Sequence, residues 1–246
     1  MGRRGHDVDE CLICHAELEY LEHEEAMECA ICHRTFPSNT RCVHGHFVCD
    51  DCHRRGLDAI VGVCRAETTS DPIAIMEDLM GQPFCHMNGP EHHTMVGAAL
   101  LTAYHNAGGE LDLGEALKEM LSRGKQVPGG ICGMWGCCGA AVSCGIFMSI
   151  VTGTNPFSER TFGLCNHMTS EALAAVAKVG GPRCCKRESY LCLLVAARIV
   201  REELGVTLTP SRPVCTRAAQ NRLCTGLDCP FSPLHAQKEA GATLQG

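Results

Sequence analysis

The stretch GCCGAAVSCGIFMSIVTG, residues 136–153, reads as a helix whose opening turns are built almost wholly from Gly, Ala, Ser and Cys. Side chains that small let a neighbouring helix approach closely, so the spacing places this segment at the centre of a helical bundle. Four further stretches with helical periodicity flank it, separated by Gly/Pro punctuation: residues 90–109, 113–130, 158–182 and 184–205. Ser158 reads as the N-cap of the third of these. Two shorter helices are predicted upstream, over 56–67 and 70–80; in the second, Ser70 or Asp71 caps and Pro72 suits the first turn. With a single Trp and 4% aromatic residues, the core must be made of aliphatics, Ala and Cys, and Met134 and Trp135 are assigned to it. The fold class is therefore mainly α, a compact helical bundle.

Residues 1–56 differ in kind from the rest of the chain, and the spacing of their cysteines is regular: Cys11-x2-Cys14, Cys29-x2-Cys32, then Cys42-x3-His46-x2-Cys49-x2-Cys52. A CxxC pair bends the backbone so that both sulfurs face one tetrahedral ion, and two pairs complete a structural zinc site. Seven cysteines and one histidine supply eight ligands, which closes two tetrahedra. A small two-zinc module of treble-clef or ribbon type is expected here. His46 is the preferred histidine, although His44 could replace it, and an interleaved pairing with Cys29, Cys32, Cys49 and Cys52 in one site is favoured over a consecutive one. The acidic run from Glu19 to Glu28 reads as a solvated face. Residues 57–81 then form a helical linker, 82–207 the α-helical core, and 208–246 a loop-like tail that carries Cys215, Cys224 and Cys229.

Charge and composition narrow the function. The formal net charge is −7, and residues 1–56 hold six Lys+Arg against eleven Asp+Glu, which argues against a nucleic-acid grip. The opening MGRRGHDVDE lacks the apolar run of a secretory signal, and no stretch of eighteen apolar residues could span a bilayer. A cytoplasmic chain without a membrane span is expected, and in that reducing compartment its twenty cysteines are metal ligands, redox groups or packing residues. No Walker loop, dinucleotide fingerprint, HExxH or Ser-His-Asp order is present.

Outside the module, thiols gather at helix starts, where unpaired backbone N–H groups would lower a thiol pKa. Cys184 and Cys185 open one helix beside Arg183, Lys186 and Arg187; Cys132, Cys137 and Cys138 precede another. Cys184, Cys185 and Cys138, with His92 or His93 from the turn that also carries Cys85, His86 and Glu91, form the candidate catalytic set. Adjacent histidines on a helix point about 100° apart, so His92 and His93 should not face one ion together. Cys215-x8-Cys224-x4-Cys229-Pro230 is similar to the Pro-terminated ligand runs of iron–sulfur clusters. It supplies three ligands, and a fourth is sought among Cys132, Cys138 and Cys185; zinc in the same pocket is the competing assignment. Cys64, Cys144, Cys165 and Cys192 sit among apolar neighbours and are assigned to packing.

The strings HMNGPEHHTMVGAALLTAYHNAGG, GKQVPGGICGMWGCCGAA and GGPRCCKRESYL, with the N-terminal CLIC, CAIC and GHFVCDDCH, resemble the prokaryotic Cys-rich proteins grouped as domain of unknown function 5714. The resemblance covers nearly the whole chain and implies a shared architecture. It also implies a protein partner, a methyltransferase or a radical-SAM enzyme. The chain itself shows neither a glycine-rich SAM-binding unit nor a CxxxCxxC loop. Two readings fit these residues. In the first the chain is a redox, sulfur-transfer or metal-cluster accessory enzyme acting with a SAM-dependent partner, on a small-molecule substrate. In the second it is a non-catalytic zinc-binding scaffold or a metal carrier or sensor.

Overall fold

The computed structural model describes residues 11, 16–30, 33–49, 59–233 and 235. The chain divides into two compact units, Met1–Asp58 and Ala59–Gly246.

The first unit is built on an antiparallel pair, β1 (Leu18–Glu28) and β2 (Thr35–Cys42), which the sequence did not announce. Five of the eleven residues of β1 are Glu, a composition that disfavours strand. The partner strand supplies the compensation: Arg41 reaches Glu19 at 2.6 Å and Glu25 at 3.0 Å. The register shifts between Tyr20 and Glu25, and the face is largely exposed, in keeping with a solvated acidic run. A small core of Cys29 and Cys49 is packed by Phe36, Phe47 and Val48.

The second unit is a multi-helix bundle. Helical residues 59–66 precede α1 (Pro72–Met80), α2 (His92–Asn106), α3 (Leu113–Gly124), the single turn α4 (Ile131–Met134), α5 (Gly139–Val151), α6 (Arg160–Val179) and α7 (Cys185–Leu204). Asp71 caps α1, accepting from the N–H groups of Ile73 and Ala74 at 2.8 and 3.2 Å, with Pro72 in the first turn. Asp112 caps α3.

Helices α2 and α5 share the centre. Every residue of α2 from His92 to Tyr104 is buried, and α5 packs against α2, α3, α6 and α7. Glycines permit this closeness. A Cβ at Gly97 would lie 2.3 Å from Met120 Sδ, and one at Gly145 would lie 2.1 Å from Thr169 Oγ1. Ser143 of α5 accepts the Gly97 N–H at 2.8 Å, so the approach of the two helices is also hydrogen-bonded.

Two assignments are corrected. Met134 and Trp135 are 73% and 68% exposed, because the turn they occupy is too short to bury a face. Ser158 does not cap α6: its hydroxyl accepts the Asn155 N–H inside the preceding loop, and α6 starts after Glu159 without a side-chain cap.

The segment after α7 folds back onto the bundle. Thr209 N–H donates to the Ser70 carbonyl at 3.3 Å, and Arg217 pairs with Glu77 of α1 at 2.6 Å. Glu77 also accepts from Tyr190 of α7, whose ring meets Phe231 edge-on at 5.2 Å.

Gly145→Val should lower the stability of the helical unit by roughly 1–3 kcal/mol, because overpacking against Thr169 exceeds the few tenths gained in helix propensity. Thermal or denaturant unfolding followed by circular dichroism measures it; an unchanged or higher midpoint contradicts the packing described.

Candidate metal centre

In the first unit the chain brings Cys11, Cys42 and His46 together, with one donor atom from each lying within 4.8 Å of the others. Cys11 Sγ and His46 Nδ1 are 3.7 Å apart. A tight turn does the positioning: the Cys42 N–H bonds the His46 carbonyl at 2.8 Å, and Gly45 takes φ +83°, a conformation that favours glycine. The His44 N–H donates to Cys42 Sγ at 3.3 Å, and it is His46, not His44, that joins the two cysteines. Separately, the Cys49 N–H donates to Cys29 Sγ at 3.3 Å, which makes these two cysteines neighbours as an interleaved pairing requires. Cys14, Cys32 and Cys52 lie outside the described residues.

A second ligand group sits at the start of α2, where donor atoms of Cys85, Glu91 and His92 also lie within 4.8 Å of one another. Here the Lys186 ammonium of α7, 2% exposed, stands among the donors. It donates to Cys85 Sγ at 2.8 Å, to the His86 carbonyl at 2.6 Å and toward His92 Nε2 at 3.1 Å. An ammonium has three protons, and each has an acceptor. The His92 Nδ1–H faces the Gly89 carbonyl at 3.0 Å, which leaves Nε2 as the acceptor. Burial, reinforced by the Lys186 charge, drives the His92 pKa down to about 3, so the ring is neutral. Burial is the largest single influence and would raise the Glu91 carboxyl, but the hydrogen bond to His86, the electrostatic pull of His92 and His86 and a backbone N–H together outweigh it and hold the group well below its ordinary value. Glu91 Oε1 accepts the His86 N–H at 2.8 Å, whereas Oε2 is buried without a partner. His93 turns elsewhere, its Nδ1 3.1 Å from the Val127 carbonyl, as the angle between adjacent helical residues demands.

The remaining sequence candidates separate. Cys184 lines an open pocket that also contains Cys215, Cys224 and Cys229. None of Cys185, Cys138, Cys132, His92 or His93 lines that pocket. Cys138 is buried against Cys192, whose hydrogen bond, with burial, raises its thiol pKa far above the ordinary value. Burial likewise raises Cys184 and Cys185, and Glu188 adds to the rise in both. The expected lowering is present at the start of α7, from the Arg187 N–H and charge on Cys184 and from Arg183 on Cys185, but burial outweighs it. The Cys184 N–H is taken by Glu188 Oε1 at 2.8 Å and the Cys185 N–H by Asn88 Oδ1 at 3.1 Å. Arg187 is likewise engaged by Glu188 and by the carbonyls of Gly180 and Pro182. Cys64, Cys144 and Cys192 are fully buried packing residues, and burial pushes the Cys64 thiol up to about 11; Cys165 is half-buried.

Fold and sites together define a Cys/His-rich helical protein with two candidate metal-ligand groups among its described residues. The chain belongs to the family described as "Family of unknown function (DUF5714)", whose model matches residues 60–232, the helical unit and its folded-back segment. No curated protein and no solved structure is significantly similar to it.

The buried Lys186 arrangement can be tested in two ways. Unfolded imidazole titrates near about 6.5, and folded His92 near 3, so the unfolded chain binds the extra proton between them. Stability from this group is complete above the upper value and is lost as pH falls toward the lower. The melting temperature of His92→Asn should therefore depend less on pH than that of the wild type between about pH 6.5 and 5, above the range of ordinary carboxylates; identical slopes contradict a neutral buried ring. Lys186→Met should lose roughly 1–3 kcal/mol by leaving three buried acceptors without a donor. It should also gain a zinc-induced rise in melting temperature, beyond that of the wild type, as the ion takes the ammonium's place. A variant as stable as the wild type, or indifferent to zinc, contradicts this.

Proposed function

We propose that the chain is a non-catalytic metal-binding protein in which residues 1–56 form a structural two-zinc module, of treble-clef or ribbon type, attached to a metal-carrying helical unit. The gathering of Cys11, Cys42 and His46 carries the reading, since two thiols and an imidazole at that separation match the donor set and reach of tetrahedral zinc. Cys14 is the ligand that would close this site. Cys32 and Cys52 would close the other around Cys29 and Cys49, whose N–H to sulfur hydrogen bond is of the kind that orients thiolate ligands. Four protein ligands leave no open coordination position, so such sites hold structure together and do not catalyse.

The accessory-enzyme reading has less support. Its candidate residues Cys184, Cys185, Cys138, His92 and His93 do not share one pocket, and the three thiols are raised, not lowered, in pKa. A scaffold of this kind works through a protein partner, and a methyltransferase or radical-SAM enzyme is the class that the family resemblance implies. We place the chain in the cytoplasm, where reducing conditions keep thiols available as ligands. Among the described residues no helix is long and apolar enough to cross a membrane.

Elemental analysis of the full-length protein purified without chelator should find about two zinc ions per chain in the N-terminal module. Cys42→Ala and His46→Ala should each lose about one, and strong chelation at neutral pH should abolish the near-ultraviolet signals of that unit. Zinc content untouched by either substitution overturns the reading.

A further inference from the structure

We infer that the pocket of the helical unit is a four-thiolate site for a polynuclear iron–sulfur cluster, with Cys184, Cys215, Cys224 and Cys229 as its ligands. The inference goes beyond the zinc reading, for it concerns the other unit and other cysteines.

The four sulfurs come from two places in the chain. Cys184 is the N-cap of α7, and the other three belong to the segment that folds back over it. The return is fixed independently of any metal, by the Arg217–Glu77 pair, by Phe231 against Tyr190, and by the Cys215 N–H on the Phe231 carbonyl at 2.7 Å. Cys229 lies within electrostatic reach of Cys184, Cys215 and Cys224, and all four line the same pocket.

Separation decides which cation. Zinc–sulfur bonds of about 2.3 Å put the sulfurs of a tetrahedral site about 3.8 Å apart. Among the described residues only two groups of three or more donors lie within 4.8 Å of one another, and the pocket cysteines are in neither. They line one open pocket without converging on a single point. A cubane cluster, which offers one iron to each thiolate at separate corners, fits that wider spread. The spacing Cys215-x8-Cys224-x4-Cys229-Pro230 has the Pro-terminated form of cluster runs.

The surroundings suit such a ligand. Asn221 Nδ2 donates to Cys184 Sγ and the Gly226 N–H to Cys224 Sγ, each at 3.4 Å, and hydrogen bonds to sulfur stabilise thiolate-bound iron. A thiolate-ligated cluster is anionic overall, and Lys186, Arg187 and Arg217 line the same pocket. Apolar cover comes from Tyr190 and Phe231, while Cys184, Cys215 and Cys224 remain half-buried, so the cluster would be shielded yet reachable.

The test is anaerobic reconstitution of the full-length protein with ferrous iron and sulfide, followed by desalting. The wild type should retain about four iron and four sulfide per chain and show broad visible absorption that bleaches with dithionite. Cys184→Ala, Cys215→Ala, Cys224→Ala and Cys229→Ala should each lower retained iron and sulfide several-fold, whereas Cys132→Ala and Cys185→Ala should retain them. Helical circular dichroism at the wild-type level shows that each variant is folded, and zinc held through Cys42 and His46 reports separately on the N-terminal reading. The proposal is overturned if folded wild type retains no iron and sulfide, if the four cysteines hold a single zinc instead, or if Cys132 or Cys185 proves necessary in place of Cys184.

Discussion

Three consecutive charged residues at the start of α7, Lys186, Arg187 and Glu188, are only 2%, 3% and 5% exposed, and the arrangement of the helical unit depends on how they are satisfied. Buried charges are tolerated only when paired and hydrogen-bonded. Lys186 meets this demand by drawing in the Cys85–His92 turn, Arg187 by closing on the link from α6, and Glu188 by accepting from both Arg187 and the Cys184 N–H. One turn of helix thereby ties together the start of α2, the α6–α7 link and the N-cap thiol. Removing Arg187 or Glu188 leaves the other with uncompensated buried charge, and removing Lys186 leaves its acceptors without a donor, which is how such an arrangement enforces a single geometry.

The same constraint governs the thiols. A basic sequence neighbourhood suggests a lowered thiol pKa, yet what matters is whether the cations outweigh the cost of burying a thiolate. Around Cys184 and Cys185 they do not: Arg187 and its N–H lower Cys184 and Arg183 lowers Cys185, but burial, with Glu188 adding to it, raises both by more. Even Cys85, 2.8 Å from Lys186, has its pKa raised, because burial outweighs the neighbouring ammonium. Sulfurs in such surroundings favour protonation or a metal ion over free nucleophilic thiolate.

Much of the architecture was legible because it is local. Helical periodicity and Gly/Pro punctuation located α2, α3, α5, α6 and α7, and the small residues of 136–145 marked a helix that is central. The turn at 85–93 was legible as a cluster of potential ligands, and His46 lies within 4.8 Å of Cys42 and Cys11, donor to donor. What escaped was decided at long range. The β1–β2 pair rests on cross-strand partners such as Arg41 that offset a Glu-rich strand. Lys186 meets Cys85 across 101 residues, and nothing in either local sequence announces it. Trp135 was misplaced because hydrophobicity predicts burial only where an element is long enough to present a face.

Three cysteine environments can be told apart among the described residues, and geometry distinguishes them better than sequence does. Cys64, Cys144 and Cys192 are sealed among apolar side chains, where the neutral thiol packs as a small hydrophobe. Cys11 and Cys42 converge with His46 to the reach of a single ion, at the end of a strand whose turn aims them. Cys184, Cys215, Cys224 and Cys229 line one open pocket without converging to that reach, with donors aimed at two of the sulfurs and cations along the wall. Sequence spacing identifies the second kind, because a CxxC knuckle is a local device. For the third it marks Cys215, Cys224 and Cys229 but not Cys184, because the N-cap of α7 meets the returning segment only through long-range contacts such as those of Glu77 with Arg217 and Tyr190.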